Sequence, residues 1–399
     1  MSSVTGTSRQ PLGNHAVLAL GFRPFYLFAG VFSILALPLW LAIYAGLLQP
    51  GGYLTGVAWH SHEMVFGFAP AVIAGFLLTA VRNWTGQPTP TGAGLAGLAL
   101  LWILGRVFVL TGPGQFAAVA DIAFLPALGV AVGLPIWRSK NARNYKILVV
   151  LLLLTTANVV YHLATLGVLP FALTRTATIA ALDIITILMA VVGGRVIPAF
   201  TANAIPTSRP RQVPMLEVTS MLSLILILVA GILDYWYALP DWVWLTLLVI
   251  AVLTQTVRWL LWKPWSTWRN PLLVMLPVAY LWIPLSLAMR GLAIVGAVPP
   301  AGAIHALTLG AISGLMLAMM MRSALGHTGR ALTTGPFEIG AFGLVQLAAI
   351  TRLSAGFVKP VLYQDVVVLS GLLWSLAFAV FLFRYAPMLY RSRIDEKLG

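Results

Sequence analysis

The chain has 399 residues, 60% of them hydrophobic and only 9% charged, with a net charge of +14. Soluble domains are about one-quarter charged, so this composition excludes an ordinary globular fold; apolar runs recurring along the whole length define an all-α, polytopic membrane protein. Zero cysteines exclude disulfides, thiolate metal sites and haem attached through Cys-x-x-Cys-His, leaving His, Met, carboxylate and backbone as metal donors.

The stretch 1–14 is polar and lacks the charged-then-apolar order of a secretory signal, so the first span is expected to stay in the mature protein. His15, beside it, reads as a solvated residue without a role. A helix crossing lipid needs about 20 mostly apolar residues, because every backbone N–H and C=O must be satisfied within the segment. Twelve spans are predicted, near 24–48, 62–81, 92–111, 116–136, 146–168, 174–194, 215–233, 242–262, 271–294, 301–321, 336–356 and 363–386. The longest polar connections, 201–214 and 262–270, are short and rich in Pro, Trp and Arg, as interfacial turns are. A single integral membrane domain is expected. The 201–214 connection allows six-plus-six halves, 1–205 and 206–399, although no self-similarity joins them.

Of the 24 Lys and Arg residues, 19 fall at the N-terminus, the even-numbered connections and the C-terminus, which orients both termini to the cytoplasm. Topology and anionic lipid explain the positive charge; the cations form no stripe with interleaved aromatics, so no nucleic acid is expected.

With this topology, His60 and His62 sit at the outer mouth of span two, His162 in the outer third of span five and His305 at the outer start of span ten. A single histidine there reads as an interfacial residue bonded to water or backbone. Four at one level read as ligands, since imidazole is the commonest ligand for haem iron and for copper without thiolate. Residues two apart on a helix point to nearly opposite sides. Ser61 as N-cap would leave His60 in an extended turn and His62 in the first helical turn, where the two approach one site or serve two neighbouring sites. Glu63 suits the first turn through the helix dipole and could equally orient a ligand imidazole. Past span ten, His327 follows Met316, Met319, Met320 and Met321. Thioether with imidazole can bind copper or haem, but the Met run reads better as packing.

Ionisable residues at depth are the second signal. Asp183 lies within span six and Arg195 at its inner end; Arg106 and Asp121 face each other across a short turn, where structural pairing outweighs a proton route. Asn158 and Tyr161 could bond a ligand or join helices.

The stretch His60-Ser61-His62-Glu63-Met64-Val65-Phe66-Gly67-Phe68, continuing as Ala74-Gly75-Phe76-Leu77-Leu78-Thr79-Ala80-Val81-Arg82-Asn83-Trp84-Thr85-Gly86, resembles the NnrS family of bacterial haem- and copper-containing inner-membrane proteins. The likeness extends through Gly21-Phe22-Arg23-Pro24-Phe25, through Arg195-Val196-Ile197-Pro198-Ala199-Phe200-Thr201-Ala202-Asn203 and through 305–330, ending in Leu325-Gly326-His327-Thr328-Gly329-Arg330. One departure is Arg82, where the family usually has Pro. The resemblance implies twelve helices in the bacterial inner membrane, a role in the nitric oxide response, non-covalent b-type haem, and copper. It carries over His60, His62, His162, His305 and His327 as ligands without assigning them to metals. Turnover of nitric oxide as a haem/copper oxidoreductase is one expectation. A transporter moving a small solute or metal along Asp183, Arg195 and the histidines is the competing class, and an accessory of a respiratory complex a third. Electron donor and protein partner are open.

Overall fold

The computed structural model describes residues 16–49 and 51–395; His15 lies outside them. The structure is 80% helical, with no strand among the described residues. Twelve helical segments are long and apolar enough to cross a membrane. We number them α1 (Phe22–Tyr44), α2 (Gly56–Thr85), α3 (Gly92–Thr111), α4 (Gly114–Arg138), α5 (Ala142–Thr165), α6 (Leu173–Ala204), α7 (Pro214–Tyr237), α8 (Asp241–Leu261), α9 (Pro271–Ile294), α10 (Pro300–His327), α11 (Pro336–Ser354) and α12 (Pro360–Tyr390).

An even number of crossings returns the chain to the face it left. Ala16 N donates to Tyr390 O at 2.9 Å, tying the two ends together on what we call the terminal face. The opposite side is the far face. In lipid, helices associate through close packing and interhelical hydrogen bonds. The first and last helices do both: a Cβ on Gly30 of α1 would meet Leu382 of α12 at 2.7 Å, and Ser375 Oγ donates to Ser33 O at 3.2 Å.

Two helices differ from expectation in ways that matter. α2 starts at Gly56, six residues early, because the aromatic and histidine side chains that resemble a polar turn pack inward; Trp59 is buried. α6 runs on to Ala204, so Arg195 lies inside a helix that winds through Pro198 instead of following its end.

Glu63–Phe68 of α2 and Ala306–Ser313 of α10 are wound as π-helix. Each begins directly after a histidine, His62 in one case and His305 in the other. A π-turn redirects the side chains around it, and such turns concentrate at functional sites. Gly67, inside the first, admits a neighbouring helix: a Cβ there would lie 2.6 Å from Arg106 Nη1 and 3.2 Å from Glu63 Oε2.

Candidate metal centre and adjoining cavity

The helix start sorts the histidine doublet. Because α2 begins at Gly56, with Thr55 at the cap position, both His60 and His62 are helical and their rings diverge. Ser61 is not the N-cap; its Oγ donates to Ala58 O at 3.1 Å. Glu63 likewise sits beyond the first turn, where the dipole argument no longer applies, and its carboxylate faces His62 instead.

His62 turns into a cluster built from the far-face ends of α2, α3, α4 and α5. His62, Glu63 and His162 are completely buried, with Asp121 and Asn158 nearly so. His62 Nε2 lies 3.3 Å from Asp121 Oδ2 and 3.3 Å from Asn158 Oδ1, and His162 Nε2 lies 3.0 Å from the same Asp121 oxygen. Asn158 Nδ2 donates to that oxygen at 2.7 Å. The outer nitrogens are held as well: His62 Nδ1 is 3.1 Å from Glu63 Oε1, and His162 Nδ1 is 3.4 Å from Tyr53 Oη. Arg106 binds both acids, donating to Glu63 Oε1 at 2.6 Å and pairing through Nη2 with Asp121 Oδ1, which realises the expected Arg106–Asp121 pair.

Two observations fit this cluster to a metal ion. His62, Asp121 and His162 each offer one donor atom, all within 4.8 Å of one another. The second concerns hydrogen-bond polarity. Glu63 accepts from His62 Nδ1, so a neutral His62 turns its Nε2 lone pair toward two oxygens, an arrangement of acceptors that a metal ion, or a proton on Nε2, relieves. Charge agrees: Glu63 and Asp121 against Arg106 leave one negative charge in a buried site, where unpaired charge is expensive. Ligand imidazoles steadied through their second nitrogen by a carboxylate or hydroxyl are the usual outer support of a metal site.

His60 faces the other way, into a cavity of about 410 Å³ between α1, α2, α6, α10, α11 and α12. Its ring stacks on Trp40 with centroids 4.7 Å apart and planes 13° from parallel, and its Nδ1 is buried without a hydrogen-bond partner. His305 lines the same cavity from α10. Its Nδ1 donates to Ala301 O at 2.8 Å, which leaves the Nε2 lone pair available. The walls are apolar apart from a few groups, among them Arg352 and Tyr363. Two histidines from different helices, one with an orphaned nitrogen, an apolar slot and an arginine for carboxylates suit a haem.

The remaining expected residues fall elsewhere. Tyr161 donates to Ala58 O at 3.0 Å, and its ring lies 5.0 Å from that of His62, joining α5 to α2. Asp183 accepts from Arg290 Nη1 at 2.6 Å beside a second far-face cavity of about 590 Å³, whose walls Ile179, Leu182 and Ile304 also bound the His60 cavity. Arg195 donates to Asn144 Oδ1 at 3.0 Å near the terminal face. His327 ends α10, 22 residues after His305, which at about 1.5 Å per residue separates them by roughly 33 Å. The structure thus groups His62 with His162, groups His60 with His305, and sets His327 apart.

Sequence reasoning missed Tyr53, Trp40 and Arg352. Tyr53 lies in the connection after α1, where nothing distinguishes it. Trp40 and Arg352 look like interfacial anchors, and only the fold brings them to the histidines.

These features define a polytopic helical membrane protein with a buried His/Asp cluster suited to a metal ion. The chain belongs to the NnrS family, whose model, described as NnrS protein, matches residues 16–393. No curated protein matches it.

Proposed function

We propose that this protein binds haem in the His60/His305 cavity and copper at His62, His162 and Asp121, and that it captures or transforms nitric oxide at the far face, on the periplasmic side of a bacterial inner membrane. Family membership ties the chain to nitric oxide. The observation that carries the reading is the divergence of His60 and His62 from one turn of α2 into two sites with different chemistry.

His60 and His305 would hold the haem in this reading, with Arg352 as partner for its carboxylates. An imidazole pair with a carboxylate and no thiolate suits divalent copper, which binds such donors more tightly than the other first-row divalent ions. Bound haem iron supplies the affinity for nitric oxide. The chain's own residues do the rest: Glu63 and Tyr53 fix the imidazoles, Arg106 sets the charge on both acids, and Trp40 holds the His60 ring.

The test is the optical spectrum of the purified protein, oxidised, dithionite-reduced and exposed to nitric oxide, with His→Ala variants at 60, 62, 162 and 305. A reduced haem spectrum that shifts with nitric oxide and is lost in the 60 and 305 variants is expected; turnover of nitric oxide is then assayed directly. A folded but colourless protein from haem-replete cells overturns the reading in favour of the transporter, which needs no haem.

A further inference from the structure

Three of the sequence stretches singled out above have no part in the far-face sites, yet they meet. Asn83 and Trp84 at the end of α2, Val196 and Phe200 in α6, and Arg322, Ser323, Gly326 and His327 in α10 line one cavity of about 350 Å³ at the terminal face, bounded on another side by Tyr26 of α1. Arg322 is the group that needs an explanation. It lies inside a membrane-spanning helix, with its guanidinium 4.0 Å from the centre of the Phe200 ring. Among the described residues it makes no ion pair, and no hydrogen bond from its side chain is found. No Asp or Glu lines the cavity.

Of the arginines four or more residues inside the ends of a span, the others are paired: Arg106 with Glu63 and Asp121, Arg195 with Asn144, Arg290 with Asp183 and Arg384 with Glu338. Arg82, Arg138, Arg143 and Arg175 also make no side-chain hydrogen bond or ion pair among the described residues, but they lie in the end turns, where the side chain reaches the membrane surface. An arginine at membrane depth is paired or lines a water-filled path. A further arginine stands at the same end of α10: Arg393 Nη1 donates to the carbonyl of His327, a residue of the cavity wall, at 3.0 Å.

The missing counter-charge therefore comes from outside the chain. We propose that this cavity binds the phosphate of an anionic phospholipid, with Arg322 as the charged partner and Asn83, Ser323 and His327 as neighbouring polar groups. The shared chemistry is a phosphate oxyanion. A lipid is favoured over free phosphate by the apolar walls, Phe76, Trp84, Val196 and Leu332, which suit the glycerol and first acyl carbons, and by the place of the cavity at a helix-end basic surface. Basic pockets between helices on that side of a membrane characteristically take anionic headgroups. The assignment does not rest on the metal sites.

The experiment is native mass spectrometry of the delipidated protein, titrated with phosphatidylglycerol, phosphatidylcholine or inorganic phosphate, together with the thermal unfolding midpoint. One phosphatidylglycerol held preferentially over phosphatidylcholine, with a raised midpoint, is expected in the wild type and in Arg322→Lys, and not in Arg322→Gln. Asn83→Asp supplies a carboxylate inside the cavity at constant size and is expected to release the lipid from a protein that still folds. Equal retention of the two lipids, or unchanged retention in Arg322→Gln and Asn83→Asp, overturns the proposal. So does a midpoint shift that inorganic phosphate alone reproduces, since the occupant would then be the free anion.

Discussion

His62 and His162 turn their Nε2 atoms onto one oxygen, Oδ2 of Asp121, at 3.3 and 3.0 Å. Each contributes a single nitrogen donor to the cluster. His62→Ala and His162→Ala are therefore expected to lose copper while keeping haem, measured by metal analysis and the pyridine haemochrome of the same sample. Equal copper in wild type and both variants would show that the metal sits elsewhere.

The converse holds at the cavity. His305→Ala removes a ligand whose Nδ1 is already committed to Ala301, so haem content should fall with copper retained. Loss of both groups together would indicate that the two sites are one.

Arg106 pairs with two buried acids and offsets one of their two charges. Arg106→Gln leaves Glu63 and Asp121 facing each other in a buried site, a change of about 3–5 kcal/mol for a broken buried pair. The expected result is a lower unfolding midpoint that recovers in part when copper is added. A midpoint insensitive to the substitution would contradict the charge count.

Gly67 permits the approach of α3 to the π-turn. Gly67→Ala should cost about 1–3 kcal/mol through overpacking against Arg106 and Glu63. Gly97→Ala is the control: a Cβ there meets nothing within 4 Å, and Ala is the better helix former. Equal stability changes at the two positions would rule out the crowding explanation.

With Nε2 of His162 given to a metal, Nδ1 carries the proton and donates to Tyr53 Oη. The Tyr53 proton goes to His162 O at 3.4 Å, and this is the part of the support that depends on a neutral phenol. Burial pushes this phenol above its ordinary range. The neutral form is thus favoured on folding; its contribution is fully present below pH 10 or so and is lost only as pH rises through the folded value. Tyr53→Phe should weaken copper binding by roughly 10–100-fold, as removal of an outer support does. The factor should stay constant from about pH 6 to 9, measured by competition with a chelator; a factor that varies across that window would assign the pH dependence to Tyr53 itself.

All twelve spans were legible because the bilayer requirement is one of length and polarity, which the sequence displays directly. The far-face level of His60, His62, His162 and His305 was legible for the same reason, as was the Arg106–Asp121 pair across its short turn. The sorting of His60 from His62 was not. It depends on where α2 begins, and Trp59 and the histidines look like a polar turn until tertiary packing buries them. Asp121 was read as a partner for arginine, and its second oxygen's place between two imidazoles follows from the packing of α4 against α2 and α5. The two π-turns leave no mark in residue type.

One turn of α2 carries a side chain into each of two compartments, and this makes them electrical neighbours. If both groups are bound as proposed, they would lie on opposite sides of one helix about 10 Å across. At an effective dielectric near 20 the interaction of two unit charges at that distance is about 1.7 kcal/mol, or on the order of 70 mV for a single electron. Under the proposed occupancy, an electron entering one group would lower the reduction potential of the other by that amount.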